Sequence, residues 1–372
     1  MKKSLLALAV LGAFAGVASA QSSVTMYGTI DVNVRDVMNT GSSKRLSMGR
    51  DGVNSSQLGI KGTEDLGGGL KAGFLLLASL NAGSGDIGSG QSATGSGKFW
   101  SRRSTVSLYS NAGELRLGRD YTPTFWNQTI FDEAGTVGLG SSLNVAQLLS
   151  GTAVRADNSI GYFLPANIGG FYGQVNVAAA QGGATGQPGE TGNPGRYIGA
   201  RFGFAAGPFD IAIAGAQQRT QTYTYTPVNF NIPLALTTTG SQNTYNIGGA
   251  YDFGPAKLEG YLDRETINNL KETRGNISLI VPMGQGEFRI AYNRSKLTSS
   301  LDALNNYSNS VWMANATYQY NLSKRTALYG TISTLNNGNH SRLSIAGGSS
   351  ITAAPTAGGT SKGFETGVRH FF

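Results

Sequence analysis

The chain contains no cysteine and only two histidines, His340 and His370, among its 372 residues. The lack of cysteine excludes disulfides, thiolate metal sites and cysteine nucleophiles, and two histidines leave little for zinc binding or histidine-based catalysis. Charged residues make up 13% of the chain, about half the share of a typical soluble domain. Long apolar runs are also missing, because the longest one after the N-terminus, Phe74–Ala78, is far shorter than the roughly 18 residues of a membrane-spanning helix. These shortages argue against both a soluble enzyme and a helical membrane protein.

The first 20 residues have the pattern of an export signal. Lys2 and Lys3 precede the apolar stretch Leu5–Val17, and the small residues Ala18–Ala20 form a cleavage site. We expect cleavage after residue 20, which leaves residues 21–372 and lowers the formal charge from +8 to +6 through loss of the two lysines. A retained N-terminal anchor fits this cleavage site less well. The sequence therefore predicts an exported protein.

The mature sequence alternates between apolar and polar residues. In Val24–Arg35 the even positions are apolar or glycine and the odd positions are mostly polar, and Leu70–Phe74 and Phe288–Tyr292 repeat the pattern. Such alternation gives a strand one apolar and one polar face. No amphipathic helix is available to cover the apolar faces, so lipid is their expected partner, as in an outer-membrane β-barrel. The barrel must be closed because an open edge would leave backbone groups unpaired in hydrocarbon.

Breaks in the alternation give the number of strands. Seven short turns are predicted at Gly67–Gly69, Asn111–Gly113, Asn167–Gly170, Ala206–Pro208, Gly254–Pro255, Pro282–Gly286 and Asn321–Ser323. Longer segments alternate with them at 37–53, 81–97, 120–157, 181–195, 220–240, 298–309 and 336–360, with a shorter break near Asn268–Leu270. Seven turns and eight loops predict an all-β, 16-stranded antiparallel transmembrane barrel, wide enough for an aqueous lumen.

Several segments resemble the general trimeric porins of Gram-negative outer membranes, particularly the β-proteobacterial group. They occur in order along the chain at Ser23–Asp31, Leu58–Leu70, Gly118–Pro123, Asn158–Tyr162, Tyr318–Tyr329 and Gly367–Phe372. The resemblance implies a homotrimer of barrels in the outer membrane, in contact with lipid and lipopolysaccharide. It implies passive diffusion of small hydrophilic solutes and ions, with no enzyme activity, cofactor, metal or nucleic acid.

The resemblance also implies that the third long loop, 120–157, folds into the pore and forms its constriction. This loop differs from its glycine- and serine-rich neighbours because it carries apolar residues that should pack on something: Phe125, Trp126, Ile130, Phe131, Leu139, Leu143, Leu148 and Leu149. Packing against the inner wall would bury them and narrow the channel. A lid over the mouth of the barrel is the alternative.

Charged residues of the constriction follow from the same resemblance. Arg119 and Arg155 match the wall arginines of such porins, and Asp132 and Glu133 are the candidate carboxylates on the loop. By strand parity, further basic residues could extend the wall: Lys61, Arg103, Arg116 and Arg35.

Two positions depart from the pattern and thin the basic wall. Gln57 stands where the resemblance leads us to expect arginine, and Thr29 where some relatives carry lysine. The remaining balance of charges in the narrow zone is positive. We therefore expect weak to moderate anion selectivity, reduced at high salt by screening.

Other functions have weaker support in the sequence. A substrate-specific sugar channel would need an aromatic ladder, for which the scattered candidates are Tyr27, Tyr109, Tyr245 and Tyr251. A barrel enzyme would need a serine–histidine or aspartate–histidine system, which the two histidines do not suggest. Gly83–Gly88 matches a dinucleotide-binding pattern, but no helix follows it.

The C-terminal strand carries its own prediction. Phe364, Thr366, Val368, His370 and Phe372 share one parity and should face outward. A terminal aromatic residue after an alternating strand resembles the signal read by the outer-membrane insertion machinery, which makes Phe372 its candidate recognition residue.

Overall fold

A computed structural model of the chain describes most of residues 23–372. The described residues are 23–42, 44–88, 98–148, 154–179, 196–225, 236–268, 270–299, 309–345 and 353–372. The predicted export signal, 1–20, lies outside them. No helix in these ranges is long and apolar enough to cross a membrane.

The described residues form eighteen strands, one α-helix and one 3₁₀ turn. The strands are β1 (Ser23–Asn39), β2 (Arg45–Arg50), β3 (Gln57–Gly67), β4 (Leu70–Asn81), β5 (Asp86–Gly88), β6 (Arg103–Ser110), β7 (Gly113–Tyr121), β8 (Arg155–Phe163), β9 (Phe171–Ala178), β10 (Tyr197–Ala206), β11 (Phe209–Tyr225), β12 (Leu236–Asp252), β13 (Lys257–Ile267), β14 (Leu270–Met283), β15 (Gly286–Ser299), β16 (Asn309–Asn321), β17 (Thr326–Asn337) and β18 (Thr360–Phe371). The helix is α1 (Pro123–Ile130), and the 3₁₀ turn is Ser142–Val145.

The strands close into one antiparallel barrel. β1 pairs with β18 from Thr29↔Phe371 to Asn39↔Ser361, which joins the two ends of the sheet. β2 and β3 pair with successive parts of β1, and β5 and β6 with successive parts of β4, so each of these two pairs forms one stave. Eighteen strands thus make sixteen staves, and the predicted 16-stranded antiparallel barrel is confirmed.

The turns lie where the sequence predicts them, whereas several of the predicted loops are partly strand. All seven predicted short breaks connect consecutive strands. Segment 220–240 is predicted as a loop, but β11 and β12 extend into it and pair from Gln221↔Gly240 to Tyr225↔Leu236. Segment 37–53 likewise contains the end of β1 and all of β2. Threonine and tyrosine favour strands even in a polar stretch, which explains the longer β11 and β12.

Side chains alternate between the two faces of the wall as predicted. In β1 the side chains of Val24 and Met26 are 68% and 67% exposed on the outer surface, whereas Asp31 and Asn33 are buried inside. Along β18 the outward parity of Phe364, Thr366, Val368, His370 and Phe372 is also confirmed, since all five are exposed. The apolar outer face and polar inner face are those of a membrane barrel around an aqueous interior.

Residues 122–148, which we call the inner segment, contact the inner wall. Thr122 caps α1 by accepting a hydrogen bond from the Phe125 amide at 3.3 Å, and Pro123 begins the helix. Asn127 then donates to the Ala212 carbonyl and to Asn246 Oδ1, each at 3.0 Å. These wall groups lie on β11 and β12, so α1 lies against the inner surface of these strands.

Apolar side chains hold the inner segment in place. Phe131 packs with Ala212 and Tyr261, while Leu139 and Val145 join a cluster with wall residues of β1, β16 and β17. The predicted apolar residues Phe125, Phe131, Leu139, Leu143 and Leu148 are buried, Trp126 is half-buried and Ile130 is exposed. Leu149 lies outside the described residues. Burial of each large apolar side chain stabilises this packing by about 1.5–3 kcal/mol.

Candidate functional site

Two predicted wall arginines, Arg103 and Arg116, are neutralised by neighbours on the inward face. Arg103 Nε lies 2.7 Å from Asp120 Oδ1, and Arg116 Nη1 lies 2.5 Å from Asp120 Oδ2. Arg116 Nε also lies 2.7 Å from Glu114 Oε1. Two guanidiniums and two carboxylates leave this network with no net charge.

Arg119 also forms an ion pair, but by its position in the strand it belongs to the outward face, unlike Arg103 and Arg116. In the β6–β7 pairing it lies opposite Ser104, on the face that carries the exposed Leu115 and Leu117. Its Nη1 lies 2.5 Å from Asp157 Oδ1, and its Nε donates to the Ser101 carbonyl at 2.8 Å. Its charge is therefore offset locally.

Arg155 is in a different environment. Its guanidinium donates to the Tyr121 hydroxyl at 3.2 Å and lies 4.7 Å from the centre of that ring. Among the ion pairs of the described residues, none includes Arg155. The same tyrosine interacts with Arg102, which donates to Ser55 Oγ at 2.8 Å and also has no ion pair in the described ranges.

Arg50 completes a group that we call the arginine cluster: Arg50, Arg102 and Arg155. Arg50 donates to the Leu80 carbonyl at 3.2 Å, and its Nε lies 3.7 Å from Asp51 Oδ2. With Asp51 as the carboxylate that contacts it, the cluster has a surplus of about two positive charges. Neither Arg50 nor Arg102 was predicted as a site residue from the sequence. Both lie next to irregular backbone, where strand parity gives no direction.

The backbone beside the cluster is held by Asp31. This buried carboxylate accepts hydrogen bonds from the amides of Gly52, Val53 and Asn54 at 3.1, 3.0 and 2.7 Å, and another from Tyr329. A Cβ atom on Gly52 would lie 2.0 Å from the Tyr329 hydroxyl, so only glycine fits this close approach. The wall therefore fixes residues 52–54 and, through them, the Ser55 contact of the cluster.

Lys61, Arg35 and the two departures from the pattern, Thr29 and Gln57, lie on the inner wall. Lys61 is exposed, and its Nζ lies 5.3 Å from the Tyr27 ring. Arg35 forms a buried ion pair of 2.8 Å with Glu365. Thr29 and Gln57 are register partners. The two positions at which this chain has a neutral residue where a basic one is expected therefore lie side by side.

The two loop carboxylates lie away from the arginine cluster. Asp132 accepts hydrogen bonds from the amides of Ala134, Thr136 and Ser142 at 3.1–3.2 Å and from the Ser142 hydroxyl at 2.6 Å, so it organises the loop itself. Glu133 accepts from Asn315 Nδ2 at 2.5 Å, on β16. In the described ranges neither carboxylate forms an ion pair with Arg119 or Arg155. Their role in the field of the pore stays a prediction.

Burial changes the charge of these two carboxylates. It raises the pKa of Asp132 to about 6, against the hydrogen bonds that favour its ionised form. It raises the pKa of Glu133 well above its usual value, and the neighbouring Asp132 charge adds to that rise. Asp132 is therefore mostly ionised near neutral pH. For Glu133, burial and the neighbouring negative charge both favour the neutral form.

A second cluster, the acidic anchor, was not predicted. It consists of Asp263, Glu265 and Glu272 around Arg274, whose guanidinium lies 2.6, 3.2 and 3.3 Å from the three carboxylates. All four side chains are almost completely buried. The signal was present in the sequence as same-parity charges on β13 and β14, joined by the short break near Asn268.

The acidic anchor binds the inner segment. The amides of Gln147 and Leu148 donate to Glu272 at 2.8 and 2.9 Å, and Gln128 Nε2 donates to Asp263 at 2.7 Å. The anchor lies on the eleventh and twelfth staves, and the arginine cluster draws on the second, fourth and sixth. The two clusters are therefore on opposite sides of the barrel, with opposite surplus charge.

Comparisons with known proteins identify the family. The profile described as Gram-negative porin matches residues 7–340. The chain belongs to this family. It is 35% identical to outer membrane porin protein 32 of Delftia acidovorans, over 100% of both chains. It is 30% identical to an outer membrane porin protein of Bordetella pertussis, over 69% of this chain and 68% of the relative.

Solved structures agree with the assignment. The anion-selective porin from Comamonas acidovorans matches with a TM-score of 0.76 and 31% identity, over 95% of this porin and 100% of that chain. A trimer form of OmpT from Vibrio cholerae matches with a TM-score of 0.65 at 13% identity, over 94% of this porin and 99% of that chain, which supports the fold alone. The predicted family and the outer-membrane location are confirmed, and with them the function as a porin channel.

Proposed function

We propose that this porin is a passive, anion-preferring diffusion channel without enzyme activity, and that the inner segment narrows its lumen. The main support is the net positive charge of the arginine cluster, which lies across the barrel from the net negative charge of the acidic anchor. Low-dielectric walls focus the field of such charges and raise the local concentration of anions. The related Comamonas porin is described as anion-selective, which supports the same preference here.

The preference is expected to be moderate. Arg50 and Arg102 are only half-buried, so mobile ions screen them over a Debye length of about 8 Å at physiological salt. Arg103, Arg116, Arg119 and Arg35 add little because each has a carboxylate partner.

Planar-bilayer recording tests the proposal. Purified protein should give stepwise openings, and under a KCl gradient its zero-current potential should indicate chloride preference that declines as the salt concentration rises. A cation-preferring channel would contradict the proposed selectivity. Hydrolysis of ester or peptide substrates by protein that does not conduct would contradict the channel itself.

A substrate-specific sugar channel has less support. Of the four tyrosines considered for an aromatic ladder, Tyr245 and Tyr251 are 59% and 41% exposed on the outward face. They therefore cannot line a path through the lumen. Tyr27 and Tyr109 alone do not form a ladder.

We propose a homotrimer in contact with membrane lipid and lipopolysaccharide, and recognition of Phe372 by the insertion machinery. The trimer is the assembly of the general porins that the sequence resembles, and a Vibrio cholerae protein of the same fold is also described in a trimer form. Phe372 exchanges two backbone hydrogen bonds of 3.1 Å with Gly28, and its side chain is exposed. Deletion of Phe372 should lower the amount of inserted protein while the pores that form conduct normally. Equal insertion of the deletion variant would refute the recognition role.

A further inference from the structure

Charges on three neighbouring strands, β13 to β15, are sorted between the two faces of the wall. Each of their acidic residues lies on the inward face: Glu259, Asp263, Glu265, Glu272 and Glu287. Four basic residues lie on the outward face and are exposed: Arg264, Lys271, Arg294 and Lys296. We call these four the outward basic patch. None of them forms an ion pair with another described residue.

The patch is compact and lies toward the loop end of the barrel. Arg264 and Lys296 both flank Thr273 in register, so their backbones are two strand spacings, roughly 10 Å, apart. Lys271 is two residues from Thr273 along β14, and Arg294 lies opposite Gly275. Four cations on a lipid-facing surface without a counter-charge repel one another, so an anionic partner would stabilise them.

Aromatic side chains place the patch at the level of lipid headgroups. Tyr245 is the register partner of Arg264, and Trp312 is the register partner of Arg294. Trp312 stacks on Tyr292, with ring centres 6.2 Å apart, and all three rings are exposed outward. Such aromatic girdles mark the boundary between hydrocarbon and headgroups. The short turns lie at the opposite end of these strands, which is the periplasmic end in this class of barrel.

An apolar groove begins directly below the patch. It has a volume of about 580 Å³, and its lining includes Phe202, Ile213, Tyr245, Leu262 and, at one end, Arg264. The small residues Ala200 and Gly215 are register partners and form part of its floor. The groove opens on the outer face, where it can accept an acyl chain.

We propose that the outward basic patch and this groove together bind a phosphorylated, acylated glycolipid of the outer leaflet. The patch takes the phosphate groups, and the groove takes one acyl chain. Charge-assisted hydrogen bonds from arginine and lysine suit phosphate oxygens. This inference rests on the proposed lipopolysaccharide contact, to which it gives a site and a chemistry.

Binding of purified lipopolysaccharide to the folded porin in detergent tests the proposal. Arg264→Gln with Lys296→Gln should weaken binding roughly 10- to 30-fold, since each basic residue near an anionic lipid surface contributes a factor of about three to five. The matched control is Lys324→Gln with Arg325→Gln, which removes two exposed charges at the β16–β17 turn and should leave binding unchanged. Equal affinities of the two double variants would overturn the proposal.

Two further measurements separate the parts of the site. Dephosphorylated lipopolysaccharide should bind wild type and the patch variant equally weakly, and competition by inorganic phosphate alone at low concentration would contradict the need for a lipid. Ala200→Leu fills the groove and should weaken binding of the intact glycolipid but not of its deacylated form. A changed oligomeric state of the patch variant with unchanged glycolipid affinity would instead identify a contact between copies. Single-channel conductance of each variant reports separately on the pore.

Discussion

The arginine cluster and the acidic anchor lie on opposite sides of one barrel. Each carries more charges of one sign than of the other, but the excess charges have different partners. The cations of Arg102 and Arg155 rest on a tyrosine and a serine, so their charge is not cancelled by a carboxylate. In the anchor, three carboxylates exceed the single guanidinium of Arg274, and backbone amides of the inner segment supply the missing donors. Arg155 is buried, whereas Arg50 and Arg102 are half-buried, so part of the positive surplus is accessible to solvent. The surplus of negative charge instead binds the protein's own chain.

Substitution of Arg274, the single cation in the acidic anchor, should have the largest effect of the changes considered, and that effect should be on stability. Arg274→Met leaves three buried carboxylates without a counter-charge, and breaking a buried ionic network in this way costs about 3–5 kcal/mol. We expect a lower urea midpoint for unfolding in lipid and rapid protease cleavage within the inner segment. Arg119→Met, whose guanidinium pairs with the half-buried Asp157, is the control and should lose much less. Equal losses in both variants would show that the anchor is not special.

Removal of the surplus on the other wall should change selectivity rather than stability. In Arg102→Ser with Arg155→Ser, the anion-to-cation permeability ratio should fall roughly tenfold, the low end of the range by which lining charges concentrate ions. The zero-current potential under a KCl gradient measures it. Lys324→Ser with Arg325→Ser removes the same charge at a turn and should leave the ratio unchanged. A double variant that keeps wild-type selectivity would exclude the arginine cluster as its source.

A comparison of Arg155 with Arg119 tests whether an ion pair with a carboxylate prevents an arginine from contributing to anion selectivity. Arg155→Ser should produce about half of the effect of the double variant in the same measurement. Arg119→Ser should produce little, because its charge is already offset by Asp157. If Arg119→Ser has the larger effect, charge pairing does not determine the selectivity.

The smallest expected effect is a pH dependence of inner-segment packing. The folded pKa of Asp132 is about 6, above its usual 3.8, so its contribution to stability is full below about pH 4 and is lost as the pH rises through 6. The raised pKa of Glu133 acts in the same direction. Protease cleavage of the inner segment should be about two- to fivefold slower at pH 5 than at pH 7.5.

The variant Glu133→Gln tests whether the remaining pH dependence of inner-segment cleavage comes from the Asp132 carboxyl group. Glu133→Gln keeps an acceptor for Asn315 but cannot titrate, so the remaining change should have its midpoint near pH 6. A flat profile in this variant would show that Asp132 does not titrate as described.

The fold was readable from the sequence because its signals are local. The alternation of Val24 and Met26 with polar neighbours and the seven glycine, proline and asparagine turns set the strands and their number. The site was less readable because its contacts are distant in sequence. Arg119 and Arg155 matched equally well as motifs, but only the fold brings Asp157 to the former and Tyr121 to the latter. Arg102 escaped notice because its Ser55 and Tyr121 partners are separated from it by whole strands.

The pairing of β1 with β18 has a consequence for the order of events during biogenesis. The mutual hydrogen bonds between Gly28 and Phe372 join the beginning and the end of the described chain, so the sheet retains two open edges until the last strand has been made. Open edges can pair with other chains, and bringing such distant residues together is slow because it requires a large loop to close. The wall can therefore close only once β18 is available, and until then its open edges need protection from pairing with other chains.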